Sequence, residues 1–432
     1  MSQASELFEG LLSNLKVDNA AAIAARRDEI TKALNREFRG LESSTANRLM
    51  VGSYGRWTAI RGVSDLDLLY VLPASLRSTY DKAGGPSRVL KRARESIEAH
   101  YSTTSVTVDR LVVVVQFNNF KFEVQPVFEN EDRSFSYPDT NADSWKVTKP
   151  RAEIEETSAE DERSKGNLRR LCKLVRAWKN KHGVAMGGLL IDTLAYNFVR
   201  SHKEYQSASS DLFGNMVRDF FLYLSLEDVH EYYSALGSRQ QVRVKKKFQR
   251  RAKGAYNLAV EAIGADGQAN AYKKWRAVFG KAVPVVAAVK ESVLASASPR
   301  FQDTEEFIED LYPVDIRYTL SIDCSVLQDG FRRQRLREIL ETHGLLRPYK
   351  DLRFMIVETD TPGAYDVKWK VLNRGPEAER RNQIRGEIVR PSVGNERRER
   401  TKFRGEHLVE CYVIQQGVVV ARDHITVPIS AS

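Results

Sequence analysis

Two acids one residue apart, Asp65 and Asp67, interrupt an otherwise apolar run, Asp65-Leu66-Asp67-Leu68-Leu69-Tyr70-Val71-Leu72. Side chains two apart on a strand share a face, so these carboxylates stand side by side. At a separation of about 4 Å they repel by roughly 1 kcal/mol in water and about 4 kcal/mol at an effective dielectric of about 20. Such a pair wants a cation, and a hard divalent ion such as Mg²⁺ suits it, because that ion takes a few carboxylate oxygens and fills its other positions with water and phosphate. A third acid, Glu123, lies between Phe122 and Val124, where a carboxylate is costly unless paired or metal-bound. Asp65, Asp67 and Glu123 on adjacent strands would hold two ions, magnesium or in its place manganese, about 3.5–4 Å apart. One would activate an attacking hydroxyl and the other would stabilise a leaving pyrophosphate. The plainer alternative makes Asp65 a turn residue after Ser64 and Asp67 a salt-bridge partner.

Just before the acids runs Gly52-Ser53-Tyr54-Gly55-Arg56. Gly52 and Gly55 let backbone N–H groups approach an anion closely, and the Ser53 hydroxyl can donate to a terminal phosphate. A four-residue glycine loop is weak evidence alone; joined to the paired acids and a later strand acid it becomes specific. Arg56 is a candidate phosphate contact, with a salt bridge to a loop acid as the competing role. Tyr54 and Tyr196 are candidates to stack on bases, with core packing competing at Tyr196. The sequence offers no account of Trp57. His182, before Gly183, reads as a helix C-terminal residue rather than a catalytic one.

The elements that must position these residues follow from pattern. Ala20–Arg39 is rich in helix formers and places Ile23, Ile30, Leu34 and Phe38 on one face, so a helix is expected there. Strands are expected over Arg48–Val51 and Asp65–Leu72, and a helix over Ser87–Ala99. Leu111–Phe117 and Phe120–Val127 read as paired strands about the Asn118-Asn119 turn. Asn130–Ser164 turns polar and contains Pro138 and Pro150, which predicts a long connecting loop. From Asn167 to about Ala297 the pattern is mainly helical, with apolar stripes at Leu168, Leu171, Cys172, Val175 and Trp178 and again at Leu189–Val199. Within it, Arg243–Lys253 holds seven Lys or Arg in eleven residues, a solvated helix face or a nucleic-acid contact. After Ser298-Pro299 the period becomes that of strands, at Asp315–Cys324, Tyr365–Leu372, His407–Ile414 and Gly417–Pro428, with Arg390–Arg404 as a charged loop. Several short strands separated by turn signals predict a β-sandwich.

The chain has 432 residues, 42% hydrophobic and 29% charged, which fits two or three globular domains and argues against disorder or a disulfide framework. No apolar run is long enough to span a membrane and Met1–Lys16 lacks a signal-peptide pattern, so no membrane association and a cytoplasmic location are expected. Cys172, Cys324 and Cys411 show no metal or disulfide spacing and read as buried free thiols. A net charge of +10 and a pI near 9.3 favour a polyanionic partner, nucleotide or nucleic acid.

The order GS-x-G-R-x-T, S-D-L-D-L-L-Y-V and F-E-V-Q-P-V-F resembles the nucleotidyltransferase superfamily of DNA polymerase beta, and within it the bacterial cyclic GMP-AMP synthase-like enzymes. Leu168–Lys179 resembles the helix that follows the catalytic strands in that family, where a lysine reaches the incoming triphosphate; Lys173 matches best and Lys179 next. Trp369–Gly375, Ile384–Gly386 and Gly405–Tyr412 resemble the adenylyl/guanylyl-cyclase-and-SMODS-type sensor domain fused to some of these enzymes. Glu123 departs from the superfamily, which usually has Asp there. The resemblance implies an α+β fold: a two-lobed polymerase-beta-like nucleotidyltransferase, with a mixed sheet and a helical lobe, followed by a β-sandwich. The expected domains are a catalytic lobe at 1–165, a helical lobe at 166–305 and a sensor-like sandwich at 310–432. The implied function is template-independent synthesis, from nucleoside triphosphates, of a cyclic di- or oligonucleotide second messenger in anti-phage signalling. It implies as partners an effector protein activated by the product and nucleic acid or another regulator. The competing readings are a polymerase-like transferase that extends RNA or protein or makes linear oligonucleotides, and a silent nucleic-acid-binding module.

Overall fold

The amphipathic pattern of the N-terminal region folds where its spacing places it: α2 runs Ala20–Arg39, buries Ile23, Ile30, Leu34 and Phe38, and ends at Gly40 in the left-handed region. In this computed structural model, residues 2–285, 304–327 and 334–430 are described. The expected change of pattern at Ser298-Pro299, and the last part of the expected helical segment, lie outside those residues. The chain divides into two compact units, Met1–Trp178 with Met186–Pro284, and Lys179–Ala185 with Val285–Ser432. The first unit holds the expected catalytic lobe and the expected helical lobe except Lys179–Ala185 and the stretch from Val285 on.

The first unit is built on a mixed sheet. Its strands are β1 (Arg48–Met50), β2 (Asp65–Val71), β3 (Ser105–Asp109), β4 (Val112–Gln116) and β5 (Lys121–Glu129), followed by the hairpin β6 (Phe135–Asp139) and β7 (Ser144–Thr148). The order is β1-β2-β5-β4-β3, with β6 on β5 and β7 on β6. Only β2 and β5 among these pairs run parallel, and their register sets Asp65 opposite Lys121 and Asp67 opposite Glu123. Leu66, Leu68, Phe122 and Val124 point to the opposite face. There they join the buried core with α2 and with Val89, Leu90, Ala93 and Ile97 of α5 (Gly85–His100). Asn118-Asn119 closes the β4–β5 hairpin, inside the Phe117–Phe120 hydrogen bond.

The helical part contains α1 (Gln3–Asn14), α7 (Asn167–His182), α8 (Gly188–Ser201), α9 (Phe213–Leu226), α10 (Gln249–Gly264) and α11 (Ala271–Phe279), with short helices α3 (Gly52–Gly55) and α4 (Arg77–Tyr80) in the sheet region. Phe8 of α1 packs edge-on against Phe213, Trp275 and Phe279. The expected loop over Asn130–Ser164 is corrected: it holds β6, β7 and α6 (Pro150–Arg163). Pro150 starts α6 rather than breaking it, because the missing N–H costs nothing in a first turn. α6 buries Glu153, Thr157, Glu160 and Asp161, so it lacks the apolar stripe that marks a helix in sequence. The basic run Arg243–Lys253 spans the end of the β8–β9 hairpin (Tyr232–Ser234, Gln241–Arg243) and the start of α10. Its seven cations are exposed and Phe248 anchors it.

The second unit contains two antiparallel sheets. One has β10 (Leu320–Leu327), β11 (Gln334–Arg335), β12 (Asp351–Thr359) and β15 (Arg397–Arg400); the other has β13 (Asp366–Leu372), β14 (Arg385–Val389), β16 (Gly405–Gln415) and β17 (Val418–Ile429). Inward residues of both sheets, among them Ile322, Phe354, Trp369, Cys411 and Val420, share one core, which makes the unit the expected sandwich. The strand expected over Asp315–Cys324 begins only at Leu320, and β15 lies within the expected Arg390–Arg404 loop. β12 stands outside the expected strands although Leu352, Phe354 and Ile356 alternate. All three cysteines are free and buried.

Candidate active site

The sheet face opposite the core carries Asp65, Asp67, Lys121 and Glu123, all half-buried, because β2 and β5 alternate strictly there. The three acids expected from the sequence are thus brought to one face by neighbouring strands. Sequence reasoning missed Lys121. Its ammonium lies 2.7 Å from Glu123 Oε1 and 3.6 Å from Asp65 Oδ1, so the protein supplies a cation of its own between two of the acids. The signal was available in the two-residue spacing from Glu123. Burial, then the Glu123 and Asp65 charges, push the Asp67 carboxyl up to about 7.

The glycine loop closes over this face. β1 pairs with β2, Val51 N–H donates to the Asp67 carbonyl, and the chain then turns into α3. Gly52 has φ +61°, and a Cβ there would lie 1.9 Å from Asp67 Oδ2; at Gly55 it would lie 2.3 Å from the Met50 carbonyl oxygen. Both positions therefore need glycine for close approach. The first N–H groups of a helix have no intrahelical acceptor, so those of Gly52, Ser53 and Tyr54 are available beside the acids. Tyr54 is half-buried against the core.

What holds the loop rigid was not legible as a site. Arg56 is 3% exposed and donates to Asp192 Oδ2 at 2.9 Å and Glu153 Oε2 at 3.1 Å. Of the two roles expected for Arg56 the structure shows the ion pair, although its acids come from helices rather than a loop. Asp192 also accepts from Thr58 Oγ1 at 2.9 Å and, at both oxygens, from Arg176. Despite burial, which would raise it, Arg176 and Arg56 hold the Asp192 carboxyl down to about 2. An acid inside the apolar Leu189–Val199 run was the signal, since a buried charge needs partners.

From α7, Arg169 Nε donates to the Arg56 carbonyl at 3.0 Å. Lys173, one turn on along the same face, is half-buried, and burial followed by the Arg169 charge lowers its ammonium pKa. Lys179 belongs to the second unit, 3.4 Å from Asp315 Oδ1. Tyr196 is buried, with its hydroxyl held by Glu156 and Arg200. His182 ends α7 before Gly183, as expected. Trp57 is 71% exposed with φ +63°.

Among the described residues, no group of three or more His, Cys, Asp or Glu forms a ready metal cage; the Lys121 ammonium stands with two of the three acids instead. The donor set nevertheless fits a hard divalent cation. It is all oxygen, its central carboxyl is driven up by burial and then by two like charges, and the Gly52 position leaves no side chain in the way.

This oxygen-donor strip on a parallel strand pair lies beneath a glycine turn, within the stretch that a synthetase-domain family model matches. Residues 1–160 match the family model of the Second Messenger Oligonucleotide or Dinucleotide Synthetase domain, and residues 302–430 match that of the Adenylyl/Guanylyl and SMODS C-terminal sensor domain. A curated relative, the "Probable cyclic nucleotide synthase" of Bacillus cereus (strain VD146), is 20% identical over 273 residues, 54% of this chain and 81% of its own. Solved structures with similar chain paths include CdnC of E. coli MS115-1 with ATP, at 15% identity, 62% of this chain, 92% of that one and TM-score 0.45. The Vibrio cholerae DncV cyclic AMP-GMP synthase is also 15% identical, over 55% of this chain and 69% of its own, with TM-score 0.44. Among the described residues, no helix is long and apolar enough to cross a membrane.

Proposed function

We propose that the protein joins nucleoside triphosphates, without a template, into a cyclic di- or oligonucleotide second messenger that acts on an effector protein in anti-phage signalling. The observation that carries this reading is the convergence of Asp65, Asp67 and Glu123 on one sheet face under the Gly52–Gly55 turn. The synthetase-domain match over residues 1–160 supports it.

A divalent cation bound by Asp65, Asp67 and Glu123, magnesium or manganese, would polarise the attacking ribose hydroxyl and offset the charge of the departing pyrophosphate. The chain's own residues do the positioning. The backbone N–H groups of Gly52 and Ser53 and the Ser53 hydroxyl hold phosphate oxygens, and the Lys173 ammonium neutralises triphosphate charge from α7. Tyr54 offers a ring edge beside the loop for a base. Lys121 keeps Glu123 and Asp65 together while no nucleotide is bound. The Arg56–Asp192–Arg176 network fixes the loop, so that reacting groups meet in one geometry rather than by diffusion.

A second reading, a module that binds nucleic acid without turnover, draws on Lys121 and on the exposed cations of Arg243–Lys253. The test is incubation with labelled ATP, GTP, CTP and UTP and Mg²⁺, phosphatase digestion, and mass spectrometry. Small phosphatase-resistant products are expected. Label on RNA or protein would replace the reading with a polymerase-like transferase, and no turnover with any mixture would favour the silent module.

A further inference from the structure

The sandwich core is not filled. A cavity of about 110 Å³ enters between its sheets, floored by Leu352 and Phe354 of β12, Val371 of β13, Val409 of β16 and Val427 of β17, all members of the buried core. Protein interiors pack densely, with few voids larger than a water molecule. This one has room for more than one water molecule.

Its mouth is polar and built. Arg385 forks onto Glu399, at 2.7 and 3.0 Å, and Arg397 also bonds that carboxylate. Arg385 has φ +58°, a left-handed conformation that a long side chain adopts at a cost, and such strain gathers at ligand clamps. His407 is 5% exposed and lines the same wall. Its Nδ1 accepts from the Arg374 N–H and its Nε2 faces the Phe403 carbonyl at 3.2 Å. That bonding fixes a neutral imidazole, and burial lowers its pKa further. With Glu399 committed to arginines, Arg400 and Lys402 leave the mouth with surplus positive charge. Among the described residues, the ion pair of Arg400 is a 3.7 Å contact to exposed Asp351.

We propose that this cavity is the ligand site of the sensor-type domain, and that its ligand is a small amphiphile: one apolar or aromatic ring seated on Phe354 and the valines, carrying one carboxylate or phosphate at the Arg385–Arg400–Lys402 rim. The floor excludes a strongly hydrated ligand, because burying polar groups without partners is unfavourable. The rim rejects a cation. The proposal stands apart from nucleotidyl transfer, and either can fail without the other.

The test uses the full chain and ¹⁹F NMR with 4-fluorobenzoate as the anionic probe and 4-fluorobenzylamine as its cationic counterpart. Saturable, millimolar binding of the benzoate is expected, at least ~10-fold tighter than the amine. R385Q removes the clamp, and R400E reverses charge at an exposed position and spares the core. Each is expected to weaken benzoate binding ~5-fold or more. No saturable binding, equal binding of the two probes, or undiminished binding in R400E would overturn the proposal. Because R400E and the wild-type probe comparison do not depend on the stability of R385Q, misfolding of that variant leaves the test intact.

Discussion

Lys121 changes how the acidic strip behaves without metal. Its ammonium pairs with Glu123 and Asp65, while Asp67, its partner in register Glu123 beside it, is pushed up to about 7. A carboxyl whose folded pKa is raised contributes stability below its unfolded value, near 4, and that contribution is lost as pH rises toward 7. In EDTA, Asp67→Asn is therefore expected to raise the thermal midpoint by about 2–4 °C at pH 8 and to have little effect near pH 4; calorimetry at both pH values checks it. The same substitution, or Asp65→Ala with Asp67→Ala, is expected to abolish product in the labelled-triphosphate assay. If the acids were merely structural, stability would fall along with activity.

Among elements, the glycine turn and the helices behind it act as one piece. Asp192→Asn leaves Arg56 and Arg176 without their shared anion inside the protein, and breaking a buried pair of this kind costs about 3–5 kcal/mol. Urea unfolding is expected to show a loss of that size. Because the Asp192 carboxyl is held low, near 2, its contribution is present above about pH 4 and is lost as pH falls toward 2. Lys173→Ala, on the α7 face that touches the Arg56 carbonyl, is expected to raise the triphosphate KM ~10-fold with little change in the midpoint. Steady-state kinetics with each triphosphate measures it. Legibility in the sequence follows the same physics. α2 and β2 were readable because one face of each is apolar, at periods of 3.6 and 2. α6 was not, because Glu153, Thr157, Glu160 and Asp161 are buried through partners rather than through greasiness. The acids were readable as exceptions within apolar strands. The partners of Arg56 were not readable, since nothing local to it reveals Glu153 or Asp192, which come from distant helices.

At the scale of the molecule, each unit has its own buried charge network. In the second, Glu410 is 3% exposed, bonds Arg422 at 2.7 Å and lies 3.5 Å from Lys370 and 3.8 Å from Lys181. Despite burial, which opposes it, Lys181, Arg422 and Lys370 hold that carboxyl well below the usual range. Glu410→Gln would strand those cations, at about 3–5 kcal/mol. Two cooperative transitions are expected in calorimetry. Glu410→Gln should lower one and Asp192→Asn the other, and a single transition moved by both would mean that the chain melts as one body.

The parallel register of β2 and β5 also limits what lengths of chain this protein tolerates. A strand alternates every second residue, so one amino acid inserted between Lys121 and Glu123 would send the glutamate under the sheet and bring a greasy neighbour out in its place. An insertion at Asn118-Asn119 would only lengthen a hairpin tip. Related chains should accordingly vary in size at that tip and keep an even, invariant count from Lys121 to Glu123.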